Sequence, residues 1–244
     1  SARFICESAA LRADTLYAMN QQESAALQTV EVATGPEPRT AVIWLHGLGA
    51  DGHDFEPLVP EFTWPGAPDI RFVFPHAPVR PVTINGGMPM RAWYDIRSLG
   101  SDRTQDRSGI AASVNQVAAL LRRENERGIN WNRIVLAGFS QGGAIAMQLA
   151  LRYPEKLAGL IALSTYLLLE DELDGSLSEA NRDLPVFFGH GVQDPMVPFH
   201  LGESAAQRLE QLGYPVDWHS YNMMHAVCPE EVRDLASWLR ERLD

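Results

Sequence analysis

Short apolar runs alternate along the chain with longer segments in which apolar residues recur at every third or fourth position. The short runs predict strands at 27–33, 41–45, 70–74, 134–137, 157–163, 185–188 and 216–221. The longer segments predict helices at about 104–127, 141–153, 199–212 and 229–242. Strands that alternate with helices are typical of an α/β fold, in which helices cover both faces of a mostly parallel sheet. The first strand is expected at an edge of that sheet, because a turn rich in Gly and Pro ends it.

The region 76–101 breaks this alternation, because prolines and glycines are mixed there with apolar residues such as Val79, Val82 and Trp93. Long loops in compact domains usually have a function or are disordered. This one is too apolar for a solvated linker. Two interpretations stay open: a loop packed over the core, or a lid-like loop that forms one wall of an apolar pocket.

Composition limits the class of protein. A length of 244 residues allows one or two domains, and apolar and charged fractions of 45% and 21% exclude a disordered chain. The net charge of −11, without a cluster of Lys or Arg, argues against nucleic acid and anionic membranes as main partners. The longest mostly apolar stretch, 157–169, is shorter than the ~20 residues of a membrane-spanning helix, so stable membrane insertion is not expected.

The first segment of the chain is predicted to be an extension to the fold. Residues 1–18 carry charges and lack the continuous apolar region of a secretory signal, which favours a cytoplasmic protein. Met19 and the residues after it read like an ordinary protein start. We therefore expect residues 19–244 to form one domain and residues 1–18 to be dispensable. Cys6 and Cys228 allow one disulfide or two reduced thiols, and a cytoplasmic setting favours the thiols.

The strongest chemical signal is a G-x-S-x-G motif at 138–142, with Ser140 at its centre. An apolar strand precedes the motif and a helix-forming run follows it, which is the context of a nucleophile elbow. Glycines on both sides of Ser140 remove the Cβ clashes of such a sharp turn. The helix N-terminus directs free N–H groups toward the same point. We therefore expect Ser140 to act as a nucleophile.

A serine hydroxyl needs a base, and the base needs an orienting acid. In hydrolases with this elbow, the acid and then the histidine follow the serine along the chain. His225 lies in the loop after the last predicted strand, where open α/β sheets place their sites, so we predict that it is the base. The other histidines after Ser140 are His190, His200 and His219, which are expected to support the site, to pack or to face solvent.

Asp194 is the predicted acid, because it lies in the loop that follows the strand at 185–188. Its alternative role is that of a turn-forming Asp before Pro195. The remaining acidic candidates lie in a polar stretch or in the last strand, and are Asp171, Asp174, Asp183 and Asp217.

Two backbone N–H groups are expected to stabilise the oxyanion that forms when the serine attacks an acyl carbon. One belongs to Gln141, directly after the nucleophile, and the other to Leu48, in the Gly-rich segment after the strand at 41–45. His46, at the end of that strand, is expected to be structural. The chain lacks P-loop and dinucleotide-binding fingerprints and the histidine spacing of a zinc protease, so we expect neither a metal nor a cofactor.

Several segments, in order along the chain, resemble those of a known family. They are 45–51, 81–87, 93–96, 137–143, 162–166, 190–195 and the loop around His225. Together they closely resemble bacterial carboxylesterases of the phospholipase/carboxylesterase family, relatives of acyl-protein thioesterases, over about residues 30–243. The resemblance implies an α/β-hydrolase fold. It also implies that Ser140, Asp194 and His225 form a catalytic triad, with Leu48 and Gln141 as the oxyanion donors.

The same resemblance implies an apolar acyl groove under the loop at 82–90. The substrate-binding residues that it predicts are Val82, Ile84, Met88, Trp93, Tyr166 and Met196. One departure from the family pattern is Arg91, which stands near a position where such sequences often carry Pro.

The expected function is hydrolysis of short- to medium-chain carboxylic esters of small molecules through an acyl-enzyme. An acyl-protein thioesterase and a lysophospholipase are alternatives with the same triad, and a non-catalytic binding module that kept the fold is a third. A peptidase is disfavoured, because nothing in the chain suggests a large gating domain. An exposed apolar lid could serve as a homodimer surface or as a substrate gate.

Overall fold

The computed structural model of the chain describes residues 26–97 and 105–243. Its strands are β1 (Thr29–Ala33), β2 (Thr40–Leu45), β3 (Ile70–Pro75), β4 (Val79–Val82), β5 (Met88–Arg91), β6 (Ile134–Phe139), β7 (Gly159–Leu163), β8 (Val186–Gly191) and β9 (Val216–Tyr221). Its α-helices are α1 (Arg107–Glu126), α2 (Gln141–Ala150), α3 (Phe199–Gln211) and α4 (Pro229–Leu243).

One large sheet has the strand order β1-β3-β2-β6-β7-β8-β9, and β4 pairs with β5 in a separate hairpin. At one edge of the large sheet β1 runs antiparallel to β3, and every further pair of neighbours in it is parallel. The predicted α/β class and the edge position of the first strand are therefore confirmed.

Alternate side chains of the central strands pack into two hydrophobic cores, one on each face of the sheet. In β2, Ala41, Ile43 and Leu45 belong to one core, whereas Val42 and Trp44 belong to the other. Helices α1, α2 and α3 contribute to the first core and α4 contributes to the second. Burial on both faces explains why the central strands read as almost continuous apolar runs.

The region predicted as an irregular loop at 76–101 contains the β4–β5 hairpin. Val79 pairs with Arg91 and Pro81 pairs with Pro89 across it, and the 3-10 turn Thr83–Asn85 follows β4. A two-stranded sheet consists of edge strands, which tolerate proline because one side needs no ladder hydrogen bond. The same prolines interrupt the alternating pattern by which these strands could have been predicted.

Two predicted helix ends also shift. The first helix begins at Arg107 instead of 104, because the side chain of Asp106 accepts a hydrogen bond from the N–H of Gly109 and caps the helix there. The second helix ends at Ala150 instead of 153, since the residue before Pro154 is biased away from helical backbone.

The predicted extension 1–18 and Cys6 lie outside the described residues. In the part of the chain that the structure describes, no helix combines the length and the apolar character that crossing a membrane requires.

Candidate active site

The residues predicted to carry chemistry follow the carboxyl ends of four parallel strands. Leu48 follows β2, Ser140 follows β6, Asp194 follows β8 and His225 follows β9. Because these strands are parallel, their carboxyl ends lie at the same edge of the sheet, where open α/β sheets bind their ligands.

Ser140 occupies a strained turn between β6 and α2. Its backbone angles are φ 55° and ψ −121°, a conformation that non-glycine residues rarely adopt. Two contacts hold it there: the Ser140 N–H donates to the carbonyl of Leu163 at 2.8 Å, and the hydroxyl of Thr165 donates to the Ser140 carbonyl at 2.7 Å. A Cβ at Gly138 would lie 2.5 Å from backbone atoms of Gly142, so the turn also requires glycine at that position.

Asp194 and His225 form a direct pair. The Nδ1 of His225 lies 2.6 Å from Oδ2 of Asp194, whose side chain is 0% exposed. Since a carboxylate oxygen can only accept, Nδ1 donates and Nε2 is left as the acceptor. The other oxygen, Oδ1, accepts from the N–H groups of Met196 and Val197, each at 2.8 Å. The loop after β8 therefore fixes the carboxylate, and the carboxylate orients the imidazole.

The other candidate histidines have different surroundings. His190 is buried in β8, and its Nε2 donates to the carbonyl of Val197 at 2.9 Å. Burial lowers the pKa of His190, although the hydrogen bond to Val197 and the charge of Asp194 act in the opposite direction. His219 lies 2.9 Å from the exposed Asp217 and stacks on Phe187. His190 thus supports the loop that carries the predicted acid.

Gln141 joins the turn at Ser140 to the segment that follows β5. It is the first residue of α2, so its N–H has no acceptor within the helix. Its side-chain Oε1 accepts from the N–H of Trp93 and its Nε2 donates to the carbonyl of Tyr94, both at 2.8 Å. This clamp was not foreseen, since nothing in the local sequence links two segments so far apart along the chain.

A mostly apolar pocket of about 360 Å³ opens at this edge of the sheet. The predicted triad members Ser140 and His225 line it, as do both predicted oxyanion residues, Leu48 and Gln141. Three predicted substrate-binding residues also line it, namely Ile84, Tyr166 and Met196. Asp194 is buried beneath the pocket wall, where its carboxylate contacts His225.

The other three predicted substrate-binding residues, Val82, Met88 and Trp93, are not among the residues that line this pocket, so their part in substrate binding stays a prediction. Val82 is fully buried at the end of β4, and Met88 is 61% exposed on β5. Trp93 is fully buried in the first core, and its indole N–H donates to the carbonyl of His46 at 2.9 Å. Their positions depend on the β4–β5 hairpin, which the sequence pattern did not predict.

Several further residues of the pocket wall were missed. Most of these are apolar or aromatic: Tyr94, Ile96, Phe139, Val197, Leu168 and Leu201. The hydroxyls of Tyr94 and Tyr166 are hydrogen-bonded at 2.6 Å. Leu168 belongs to the longest apolar stretch of the sequence, which was the one signal available for it.

The chain is similar to a known family and to several known proteins. The model of the family described as Phospholipase/Carboxylesterase matches residues 27–243. Acyl-protein thioesterase 1 of the fungus Cryptococcus neoformans is 40% identical in an alignment 225 residues long, and the match covers 85% of this chain and 94% of that protein.

Two plant structures are also similar. Acyl-protein thioesterase 2 of Zea mays has a TM-score of 0.79 and 30% identity, covering 89% of this chain and 99% of its own. SOBER1 of Arabidopsis thaliana has a TM-score of 0.78 and 30% identity, covering 84% of this chain and 100% of its own.

The fold and these matches define the class as an enzyme, a serine hydrolase of the α/β-hydrolase superfamily. Within that class, the chain belongs to the phospholipase/carboxylesterase family. The predicted family, fold and enzyme class are therefore confirmed. The relatives described above are fungal and plant proteins, so the bacterial kinship expected from the sequence stays a prediction.

Proposed function

We propose that this protein is an acyl-protein thioesterase that uses Ser140 as nucleophile, His225 as general base and Asp194 as orienting acid. The observation that carries the proposal is the 2.6 Å contact between Asp194 and His225 in a pocket that also presents Ser140 from a strained elbow. A histidine held in this tautomer has its Nε2 free to take a proton from a serine hydroxyl.

The proposed reaction proceeds through an acyl-enzyme. The Oγ of Ser140 attacks the acyl carbonyl carbon while Nε2 of His225 accepts the hydroxyl proton. The N–H groups of Leu48 and Gln141 donate to the oxyanion of the tetrahedral intermediate, a contribution of several kcal/mol. The carbon–sulfur bond then breaks, and His225 gives the proton to the departing thiolate, which leaves as the thiol. A water that gives its proton to His225 attacks the acyl-enzyme, which releases the carboxylic acid and restores Ser140.

The choice of an acylated protein as substrate rests on two points. The pocket wall is mostly apolar, which suits the hydrocarbon part of an acyl group. Two of the relatives described above carry the name acyl-protein thioesterase, which modestly favours this function over the short-chain carboxylesterase that the sequence predicts. A cytoplasmic location, also predicted from the sequence, remains part of the proposal.

A matched pair of substrates tests the proposal. A peptide S-acylated on cysteine and the same peptide O-acylated on serine are compared at several acyl chain lengths. We expect kcat/KM to be higher for the thioester with a medium or long chain. A preference for short O-esters would instead favour the carboxylesterase.

The nucleophile is tested with Ser140→Ala. We expect this variant to fold normally, to lose several orders of magnitude in kcat and to resist labelling by a fluorophosphonate probe. Turnover close to that of the unaltered chain would exclude Ser140, and an unaltered chain that the probe does not label would favour a binding module.

A further inference from the structure

Arg91 lies at the end of β5 beside the segment 47–49, here called the oxyanion loop. We propose that Arg91 is a positioning residue, which orients the N–H of Leu48 through Ala77 and His46. The inference deepens the proposed function and rests on it.

Arg91 makes two contacts on different sides. Its backbone carbonyl accepts from the N–H of Gly49 at 2.9 Å, which holds the far end of the oxyanion loop to β5. Its guanidinium Nη1 donates to the carbonyl of Ala77 at 2.9 Å. The hairpin is therefore fastened both to the oxyanion loop and to the segment between β3 and β4.

Ala77, which Arg91 holds, is in turn hydrogen-bonded to His46. The N–H of Ala77 donates to Nε2 of His46 at 3.0 Å, so that ring nitrogen must be the acceptor. The other nitrogen, Nδ1, then carries the proton and donates to the carbonyl of Gly47 at 2.7 Å. His46 is 1% exposed, and a side chain so enclosed has little freedom to leave these partners.

The carbonyl of Gly47 and the N–H of Leu48 belong to the same peptide unit. This unit is planar and trans, so its C=O and N–H bonds point in opposite directions. When His46 holds the carbonyl toward the protein interior, the N–H of Leu48 is turned the other way. Leu48 and Gly47 both line the pocket with Ser140, which is where an oxyanion donor is required.

The surroundings of His46 also keep its ring neutral, which this tautomer requires. Burial lowers the pKa of His46 to about 4, and the positive charge of Arg91 lowers it further, whereas the hydrogen bond to the carbonyl of Gly47 and the charge of Asp51 act in the opposite direction. A protonated His46 would present an N–H to the N–H of Ala77 and would break the relay. Arg91 thus supports the acceptor state of His46 by its hydrogen bond to Ala77 and by its charge.

Arg91→Met tests the inference, since methionine keeps an extended apolar chain and removes the guanidinium. We expect kcat to fall about tenfold with KM changed less than twofold, because losing one oxyanion donor outright costs about 10²–10³ and here the donor is only misdirected. Arg91→Lys, which can still donate to the carbonyl of Ala77, should recover most of the activity. Arg80→Met, in the same hairpin but outside the pocket, is the matched control and should keep kcat within twofold.

Inhibitor binding distinguishes a misdirected N–H of Leu48 from a general loss of order in the hairpin. A trifluoromethyl ketone carrying the acyl chain forms a tetrahedral adduct with an oxyanion, so its Ki should rise in Arg91→Met by the same factor as kcat falls. The carboxylic acid product makes no such adduct, and its Ki should stay unchanged.

His46→Gln provides a second variant in case Arg91→Met fails to fold. Its amide oxygen can accept from Ala77, but it lacks the Nδ1 donor to Gly47, so we expect a loss of kcat of up to about 100-fold. His46→Asn, which keeps a donor near Nδ1, should lose less. An unchanged kcat in Arg91→Met or His46→Gln, an equal loss in Arg80→Met, or an unchanged Ki of the ketone would overturn the inference. Absence of hydrolysis in the unaltered chain would instead refute the proposed function.

Discussion

Replacing Asp194 with Asn tests the central electrostatic feature of the site with little change in shape. The N–H groups of Met196 and Val197 both point at Oδ1, so the asparagine oxygen should take that position. Its amide nitrogen then faces Nδ1 of His225, where the carboxylate oxygen now lies at 2.6 Å. The reverse orientation would set an N–H₂ group against two N–H donors and is disfavoured.

The magnitude follows from the tautomer that this arrangement imposes. An amide N–H that faces Nδ1 makes that nitrogen the acceptor and moves the proton to Nε2, which can no longer take a proton from Ser140. Loss of the correct tautomer in a Ser-His-Asp triad lowers kcat by about 10⁴. This factor corresponds to about 5.5 kcal/mol in the activation free energy. Both backbone donors keep an acceptor, so the free energy of unfolding should change much less.

The assay is steady-state hydrolysis of the thioester and the ester peptide, with thermal unfolding measured on the same samples. Asp217→Asn is the matched control, because Asp217 also pairs with a histidine, His219 at 2.9 Å, but lies at the surface. We expect this control to keep kcat within twofold. A variant Asp194→Asn that retained more than a tenth of kcat, or an equal loss in the control, would refute the reasoning.

Two further substitutions probe the scaffold. Glu231 is 0% exposed and, among the described residues, its carboxylate has no hydrogen-bond partner; burial raises its pKa to about 8 from 4.5. In the unfolded chain this carboxyl ionises at a lower pH than in the folded chain. The free energy of unfolding should therefore fall as pH rises from about 4.5 to 8. In urea unfolding, the free energy of unfolding of Glu231→Gln relative to that of the unaltered chain should rise by on the order of 4 kcal/mol over this pH range. A difference between the two proteins that did not change with pH would contradict this prediction. Gly138→Ala should destabilise the fold by about 3 kcal/mol in the same assay, because the new Cβ meets backbone at 2.5 Å. Gly175→Ala, with nothing within 4 Å, should be neutral, and equal effects at both positions would contradict the packing argument.

The sequence predicted the large sheet well because burial on both faces leaves a strong apolar signal. Only the ends of strands were misplaced, and β8 shows why. The prediction stopped at 188, since Gly189, His190 and Gly191 resemble a loop, yet they pair with β9. Glycine is needed at 189 because the Glu231 carboxylate fills the space where a Cβ would lie, a contact that no local pattern reveals.

The pocket was predictable only in part. Residues that directly follow parallel strands, such as His225, must lie at one edge of the sheet, so their proximity follows from the strand pattern. Val82, Met88 and Trp93 depend instead on which way the β4–β5 hairpin turns each side chain. A one-residue difference in strand register exchanges the two faces, and the prolines at 81 and 89 hid the register.

The parallel pairing of the central strands also determines when, during folding, the protein can become active. In the sheet Leu45 pairs with Gly138, and Gly191 pairs with Tyr221, so each strand end that bears a site residue is held by a partner distant in sequence. Loop-closure entropy must be overcome before such contacts can form, and parallel sheets fold slowly for this reason. After dilution from denaturant, hydrolysis should therefore recover only once the last long-range strand pairing has formed. Its recovery should be slower than that of the circular dichroism signal of the helices.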